Sequence, residues 1–129
     1  MSKKMLLIFS HKLTDNQKSD AQESLGVSEF LSLPEDLQKK WSQIPADLDK
    51  NELEKYLEPI KKWIFKNGKK NDLSLVSGDF GATYQIINFC KENSVKPYHS
   101  TNKRVAKEIF DGDKVHVSHT FQHVKFREF

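Results

Sequence analysis

The chain alternates between short apolar runs and longer segments in which apolar residues recur every three or four positions. Short runs without polar alternation are typical of strands covered on both faces, whereas the longer spacing is typical of amphipathic helices. Strands are predicted at residues 4–9, 29–33, 73–76 and 95–100. The pattern predicts an α/β fold with a mostly parallel sheet that is flanked by helices.

Capping residues predict where the helices begin and end. Thr14 is followed three residues later by Gln17, which is the spacing of a capping box, and Gly26 ends that helix. Because this helix separates the first two strands, the two strands should be parallel. Further helices are predicted at residues 34–42 and 82–93 and from Asn51 onward, where Pro59 must kink the helix or start a new one.

The C-terminal quarter predicts an antiparallel β-hairpin. Residues 105–110 and the apolar positions Val115, Val117 and Phe121 flank the turn sequence of residues 111–114. The alternation shifts phase between Phe121 and Val124, which predicts a bulge or a further strand. Nothing in the pattern indicates a second domain, so residues 1–129 are expected to form a single α/β domain.

Composition narrows the classes of partner. The chain has 129 residues, 30% of them charged, and a net charge of only +3, so a small anionic ligand is favoured over a long nucleic acid. Cys90 is the only cysteine, which indicates a reducing compartment and an inert core thiol. The first apolar run is too short for a signal peptide or a membrane span, so we expect a cytoplasmic protein with no membrane partner.

Metal and cofactor sites are not expected. On a strand, His119 and His123 share one face while His116 lies on the other, so the three histidines do not form a ligand set for a metal. The glycine spacing after the third strand is neither that of dinucleotide folds nor that of P-loops, so no nucleotide cofactor is predicted.

The junction between the third strand and the next helix is the first candidate binding element. Gly78 and Gly81 would let the backbone approach a ligand, and the amides of residues 82–84 would point at an anion. The alternative is a tight turn in which Asp79 only caps the helix.

Two further elements follow predicted strands. Ser10 and His11 end the first strand, and residues 100–104 (Ser-Thr-Asn-Lys-Arg) are predicted to form a loop after the fourth. Two hydroxyls, an amide and two cations are suited to contacting a phosphodiester, although an exposed polar turn would look the same.

Taken together, these elements and the His-Val-Lys-Phe-Arg ending at residues 123–127 resemble a known family. The chain is similar, from Leu6 to Arg127, to small stand-alone CRISPR-associated proteins of the CARF superfamily, which implies a Rossmann-like, CARF-type fold. The resemblance implies a homodimer with cyclic tetra-adenylate on its twofold axis. It also implies ring-nuclease activity, which linearises this second messenger and switches off type III CRISPR signalling.

The implied chemistry needs no metal or cofactor, because a ribose 2′-hydroxyl can attack the adjacent phosphorus in line. His11 is the candidate for proton transfer, and Lys103 and Arg104 are candidates for stabilising charge on the phosphate. We expect these three to be catalytic. The expected ligand-binding residues are Ser10, Gly78, Asp79, Phe80, Gly81, Thr83, Ser100, Thr101 and Arg104.

Two other functions remain open at this point. The chain could bind the cyclic ligand as a sensor or sink without cutting it, or it could be a monomeric α/β enzyme for a phosphorylated metabolite. For a homodimer, the C-terminal aromatic residues Phe121, Phe126 and Phe129 are the candidate contact surface.

Overall fold

Within residues 3–129, the computed structural model contains five strands and five helices. In chain order they are β1 (Lys3–Ile8), α1 (Asp15–Leu25), β2 (Val27–Ser32), α2 (Glu35–Ser42), α3 (Lys50–Tyr56), α4 (Glu58–Asn67), β3 (Leu73–Val76), α5 (Phe80–Glu92), β4 (Lys96–Asp111) and β5 (Lys114–Glu128).

The strands form one mixed sheet in the order β2-β1-β3-β4-β5. β1 pairs in parallel with both β2 and β3, and β3 pairs in parallel with β4. β5 adds an antiparallel edge as the return strand of the C-terminal hairpin. The predicted α/β class, the parallel pairing of the first two strands and the hairpin are confirmed.

Helices cover the two faces of the sheet unequally. Met5, Leu7 and Phe9 pack against α1 residues such as Ala21 on one face, which we call the α1 face. Leu6 and Ile8 point to the opposite face, where they join a larger cluster that includes Ile64 of α4 and Ile86 of α5. Since successive strand residues alternate between faces, the unbroken apolar run of β1 is explained by this double covering.

The capping residues act as the sequence predicts. Thr14 Oγ1 accepts a hydrogen bond from the Gln17 amide, Gln17 Oε1 accepts one from the Thr14 amide, and Gly26 ends α1 in the left-handed conformation with φ of 71°. Pro59 lies in the first turn of α4, so it starts a new helix. Cys90 is buried, and burial raises the pKa of its thiol to about 11, which fits an inert core residue.

Residues 100–104 do not form a loop, and this prediction is wrong. β4 continues without interruption to Asp111, because β5 returns beside it and pairs with its backbone from Tyr98 to the turn. The register shifts once, between Thr101 and Asn102, where Val124 is the extra residue of β5. The predicted phase shift is therefore a bulge.

Beyond this bulge the two strands project as a ribbon, which we call the hairpin arm (residues 102–123). Every residue from 106 to 122 is exposed, including Phe121. Phe126 was expected to be exposed as part of the dimer contact surface, but it lies below the bulge and is buried against the α1 face. Among residues 3–129, no helix is both long and apolar enough to cross a membrane.

A substitution at Gly78 tests the packing at the end of β3. A Cβ atom there would lie 2.8 Å from Trp41 Nε1, whose N–H donates to the Ser77 carbonyl at 2.9 Å. Because the buried indole has no room to move, we expect Gly78→Ala to lower the free energy of unfolding by about 1–3 kcal/mol in urea denaturation.

The matched control is Gly81→Ala. Its Cβ would lie 3.2 Å from Leu53 Cδ2, the end of a flexible side chain, so a smaller loss is expected. Equal losses at the two positions would contradict the role assigned to Trp41.

Candidate functional site at the carboxyl rim

The carboxyl ends of three parallel strands meet at one edge of the sheet. Ile8 lies opposite Val76, and Leu75 lies opposite Tyr98. Continuing the pairing of Leu75 with Tyr98 by two residues places Ser100 beside Ser77. The Ser77 amide donates to the Ile8 carbonyl at 3.1 Å, so the end of β3 is also tied to β1. We call this edge the carboxyl rim. It brings the predicted Ser10–His11, Gly78–Gly81 and Ser100–Thr101 elements to the same end of the molecule.

The chain turns to opposite faces of the sheet after β1 and after β3. α1, which follows β1, packs on one face, whereas α5, which follows β3, packs on the other. Adjacent strands whose connections part in this way leave a crevice between them, and open α/β sheets bind ligands at such switch points. The geometry therefore marks the rim between β1 and β3 as a binding position.

A cavity of about 720 Å³ lies beside the end of β1. Its lining includes Ser10, His11, Lys12, Lys18 and Glu35, so two lysines that suit an anionic group stand against one carboxylate. Ser10 Oγ lies 3.1 Å from Ser42 Oγ. The His11 ring is exposed and meets the Phe9 ring edge-on, with 6.5 Å between the centroids.

In the turn between β3 and α5, Asp79 already accepts hydrogen bonds from the backbone amides that were expected to bind an anion. Asp79 Oδ2 accepts from the Ala82 amide at 2.9 Å, and the Asp79 carbonyl accepts from the Thr83 amide at 2.8 Å. The prediction that these two amides face a bound anion is wrong, since capping uses both of them. The glycines are likewise explained by neighbours within the chain, Gly78 by Trp41 and Gly81 by Leu53.

Other side chains at the start of α5 remain available to a ligand. The Phe80 side chain is 94% exposed and that of Tyr84 is 67% exposed. Thr83 Oγ1, by contrast, is buried, and it has no hydrogen-bond partner in the described part of the chain. This end of α5 therefore offers aromatic surface rather than backbone donors.

Lys103 and Arg104 lie on the hairpin arm and point to opposite faces of it, because alternate strand residues do. Arg104 is on the α1 face, like Ser100, and pairs across the ribbon with Phe121. At about 3.3 Å per residue, Arg104 stands roughly 13 Å beyond Ser100. The two cations consequently lie beyond the rim, on the hairpin arm. Neither Asp79 nor Arg104 lines the cavity that His11 lines.

Ser100 belongs to a hydrogen-bonded network that the sequence did not reveal. Its Oγ lies 2.5 Å from His123 Nδ1, and His123 Nε2 lies 2.7 Å from Asp20 Oδ2. The His123 side chain is 3% exposed and that of Asp20 is 21% exposed. Phe126 packs on the His123 ring with 4.5 Å between the centroids. The network joins α1, β4 and β5 at the base of the hairpin arm.

Asp20 is held in its charged form. The Ser24 hydroxyl, which donates to Asp20 Oδ1 at 2.6 Å, lowers the pKa of Asp20. The hydrogen bond to His123 and the charges of His123 and Lys125 lower this pKa further, whereas partial burial opposes them. The carboxylate is therefore an acceptor only, which fixes the orientation of the imidazole.

The network was missed because its residues are far apart in sequence. Asp20 lies on a helix with a weakly amphipathic pattern, and His123 lies where the strand alternation changes phase. The confirmed prediction that His119 and His123 share a face placed His123 correctly but gave it no partner. Among residues 3–129, no cluster of three or more histidine, cysteine or acidic side chains could hold a metal.

Replacing His123 tests whether the network stabilises the fold. We expect His123→Ala to lower the free energy of unfolding at pH 7 by about 1–3 kcal/mol, since Asp20 and Ser100 lose their partner. The loss should shrink below about pH 4, because a carboxylate with a lowered folded pKa stabilises the fold above its ordinary pKa and loses this effect on protonation.

His119→Ala is the control in these urea titrations at pH 7 and pH 3. His119 is on the same face of β5 but is exposed, so a change within about 0.5 kcal/mol is expected. Equal effects of the two substitutions would show that the buried contacts of His123 add no stability.

Comparison with known proteins identifies the family. The model of a family described as "Uncharacterized protein MJ1673 family" matches residues 3–127. A relative from Methanocaldococcus jannaschii, "Uncharacterized protein MJ1673", is 47% identical over 126 residues, which cover 98% of this chain and 96% of the relative. No solved structure matches the chain. Match and identity extend over nearly the whole length, and the chain therefore belongs to the MJ1673 family.

Proposed function

We propose that this chain is a CARF-type protein that binds cyclic tetra-adenylate as a homodimer and linearises it without a metal. By destroying the messenger, it would switch off type III CRISPR signalling in the cytoplasm. The observation that carries the proposal is the convergence of three hydroxyl-bearing strand ends, at Ser10, Ser77 and Ser100, on the rim where the sheet has its switch point.

The groups around the rim suit a ring of adenosine phosphates. Lys12 and Lys18 line the cavity beside Ser10 and can contact phosphates there. Phe80 and Tyr84 present exposed rings at the start of α5, on which unstacked bases can pack. These side chains lie on both sides of the crevice, so one ligand with alternating phosphates and bases would use both sets.

The hairpin arm supplies the remaining cations and the dimer surface. Lys103 and Arg104 stand above the rim, where a ligand larger than the cavity would extend. The α1 face of the arm also carries exposed apolar side chains, namely Phe110, Val115, Val117 and Phe121. A two-stranded ribbon is marginally stable alone, so pairing with the arm of a second copy would stabilise it. The resulting dimer would place the carboxyl rims of both copies around a cyclic ligand with twofold symmetry.

Ring opening then follows from the ligand's own chemistry. A ribose 2′-oxygen attacks the adjacent phosphorus, the 5′-oxygen leaves, and a 2′,3′-cyclic phosphate remains. The protein holds the ribose in line and stabilises charge on phosphorus, for which Arg104 and Lys103 are the candidate cations. His11 would serve as the group that transfers a proton.

Binding without cleavage is the second candidate function. It is favoured by the setting of His11, whose exposed ring contacts Phe9 rather than a group that would orient it for proton transfer. A sensor or sink would need the rim and the arm but no base.

Incubation of the protein with cyclic tetra-adenylate in EDTA distinguishes the two functions. We expect linear products that end in a 2′,3′-cyclic phosphate, detected by liquid chromatography and mass spectrometry. A ring that stays intact but co-elutes with the protein would support the binding function, and a ring that does not bind would remove both. Arg104→Ala should abolish binding, whereas Lys107→Ala, an exposed cation farther along the arm, should leave the dissociation constant within about threefold.

The role of His11 is tested in the same assay. We expect His11→Ala to bind the ring with unchanged affinity and to cleave it at least about tenfold more slowly, because proton transfer contributes to the rate and not to ground-state binding. Single-turnover rates at saturating protein measure this. Unchanged cleavage would remove His11 as the proton carrier.

A further inference from the structure

Among the three serines at the carboxyl rim, Ser100 differs in that its hydroxyl contacts a histidine which in turn contacts a carboxylate. Ser100 Oγ is 2.5 Å from His123 Nδ1, and the far nitrogen of that ring is 2.7 Å from Asp20. Asp20 is in turn fixed by the Ser24 hydroxyl at 2.6 Å. A hydroxyl, a base within hydrogen-bond reach and a third group that orients the base are the arrangement that activates serine hydroxyls in unrelated folds.

The positions of the protons follow from the partners. Ionised Asp20 can only accept, so His123 Nε2 carries a proton and donates it to Asp20. When Nδ1 carries no proton, its lone pair faces Ser100, whose hydroxyl donates to it. In that tautomer His123 can act as a base toward Ser100.

The surroundings of Ser100 provide room and donors for a substrate. A cavity of about 470 Å³ is lined by Gln17, Asn102 and His123, the same residues that contact Ser100. Gln17 Nε2 donates to Ser100 Oγ at 3.4 Å. The His123 side chain also lines this cavity, but both of its ring nitrogens have partners, Nδ1 the Ser100 hydroxyl and Nε2 the Asp20 carboxylate. Nδ1 can therefore exchange a proton with a substrate through the Ser100 hydroxyl.

We propose that Asp20, His123 and Ser100 form a proton relay whose outer end, the Ser100 hydroxyl, takes the proton of an attacking hydroxyl on a phosphodiester. In the ring opening proposed above, on which this assignment rests, the bond from the 2′-oxygen to phosphorus forms as the bond to the 5′-oxygen breaks. The 2′-proton passes to Ser100 Oγ while the Ser100 proton passes to His123 Nδ1. The 5′-oxygen takes a proton from His11, the proton-transfer group of the proposed function, and His11 regains a proton from water.

This relay separates the roles of two histidines. His123 is oriented on both ring nitrogens, whereas the His11 ring is exposed beside Phe9. Ser100 is the catalytic residue of the relay, and His123 and Asp20 are positioning residues that act through it. Lys125 is a charged neighbour of Asp20 and His123, and its positive charge helps to lower the pKa of Asp20.

The relay is tested first with diisopropyl fluorophosphate, which requires no knowledge of the natural substrate. The activated Ser100 oxygen attacks phosphorus, fluoride leaves, and the Ser100 proton passes to His123. We expect Ser100 to be the labelled residue, located by peptide mass spectrometry, and the labelling rate to fall at least about 100-fold in His123→Gln and in Asp20→Asn. His119→Gln, an exposed neighbour on the same face of β5, should label like the wild type.

Cleavage of cyclic tetra-adenylate is then measured for the same variants. His123→Gln and Asp20→Asn should retain ring affinity within about threefold while the single-turnover rate falls at least about 100-fold, and Ser100→Ala should lose at least as much of that rate. Circular dichroism confirms folding, and either positioning variant suffices if the other unfolds.

The outcomes separate this inference from the proposed function. Absence of label on Ser100, or equal labelling in the His123 and Asp20 variants, overturns the relay even if the ring is cleaved. Labelling that depends on His123 and Asp20 in a protein that leaves the ring intact supports the relay and overturns the proposed ring nuclease. Ring cleavage at the wild-type rate by Ser100→Ala overturns the relay's part in that reaction.

Discussion

The position of β1 between β2 and β3 is the constraint on which the rest of the molecule depends. Both neighbours are parallel to β1, so its backbone hydrogen-bonding groups are used on both edges, and its side chains from Met5 to Ile8 are buried on both faces. A strand enclosed in this way cannot shift its register without exposing an entire apolar face. The ends of β1 and β3 are therefore fixed beside each other. Because parallel connections are right-handed and lead from β1 to β2 on one side and from β3 to β4 on the other, they part to opposite faces of the sheet.

This constraint places polar groups at the rim without deciding what they do. Asp79 and the glycines near it are accounted for by helix capping and by packing against Trp41 and Leu53. The features without such an account are the basic cavity at the end of β1, the exposed aromatic rings at the start of α5 and the buried base beside Ser100. The proposed chemistry rests on these features.

The hairpin arm changes how the rim is assembled. Because β4 continues past the rim, the two cations of residues 103 and 104 occupy opposite faces of a ribbon instead of converging in a loop. One protomer cannot direct both cations at the same phosphate from the same side. A twofold pair of arms would restore a cation to each side of a shared ligand, which is a geometric reason to connect the proposed dimer with the proposed ring.

Local patterns in the sequence determined most of the fold. Capping at Thr14, the interruption at Pro59, the buried strands and the C-terminal turn depend on interactions within a few residues, so their positions could be predicted. The length of β4 could not be predicted, because it depends on β5 returning beside polar residues that look like a loop. Tertiary structure alone decided that Asp20, Ser100 and His123 meet, since only the packing of α1 against the bulged hairpin brings residues about a hundred positions apart into hydrogen-bond range.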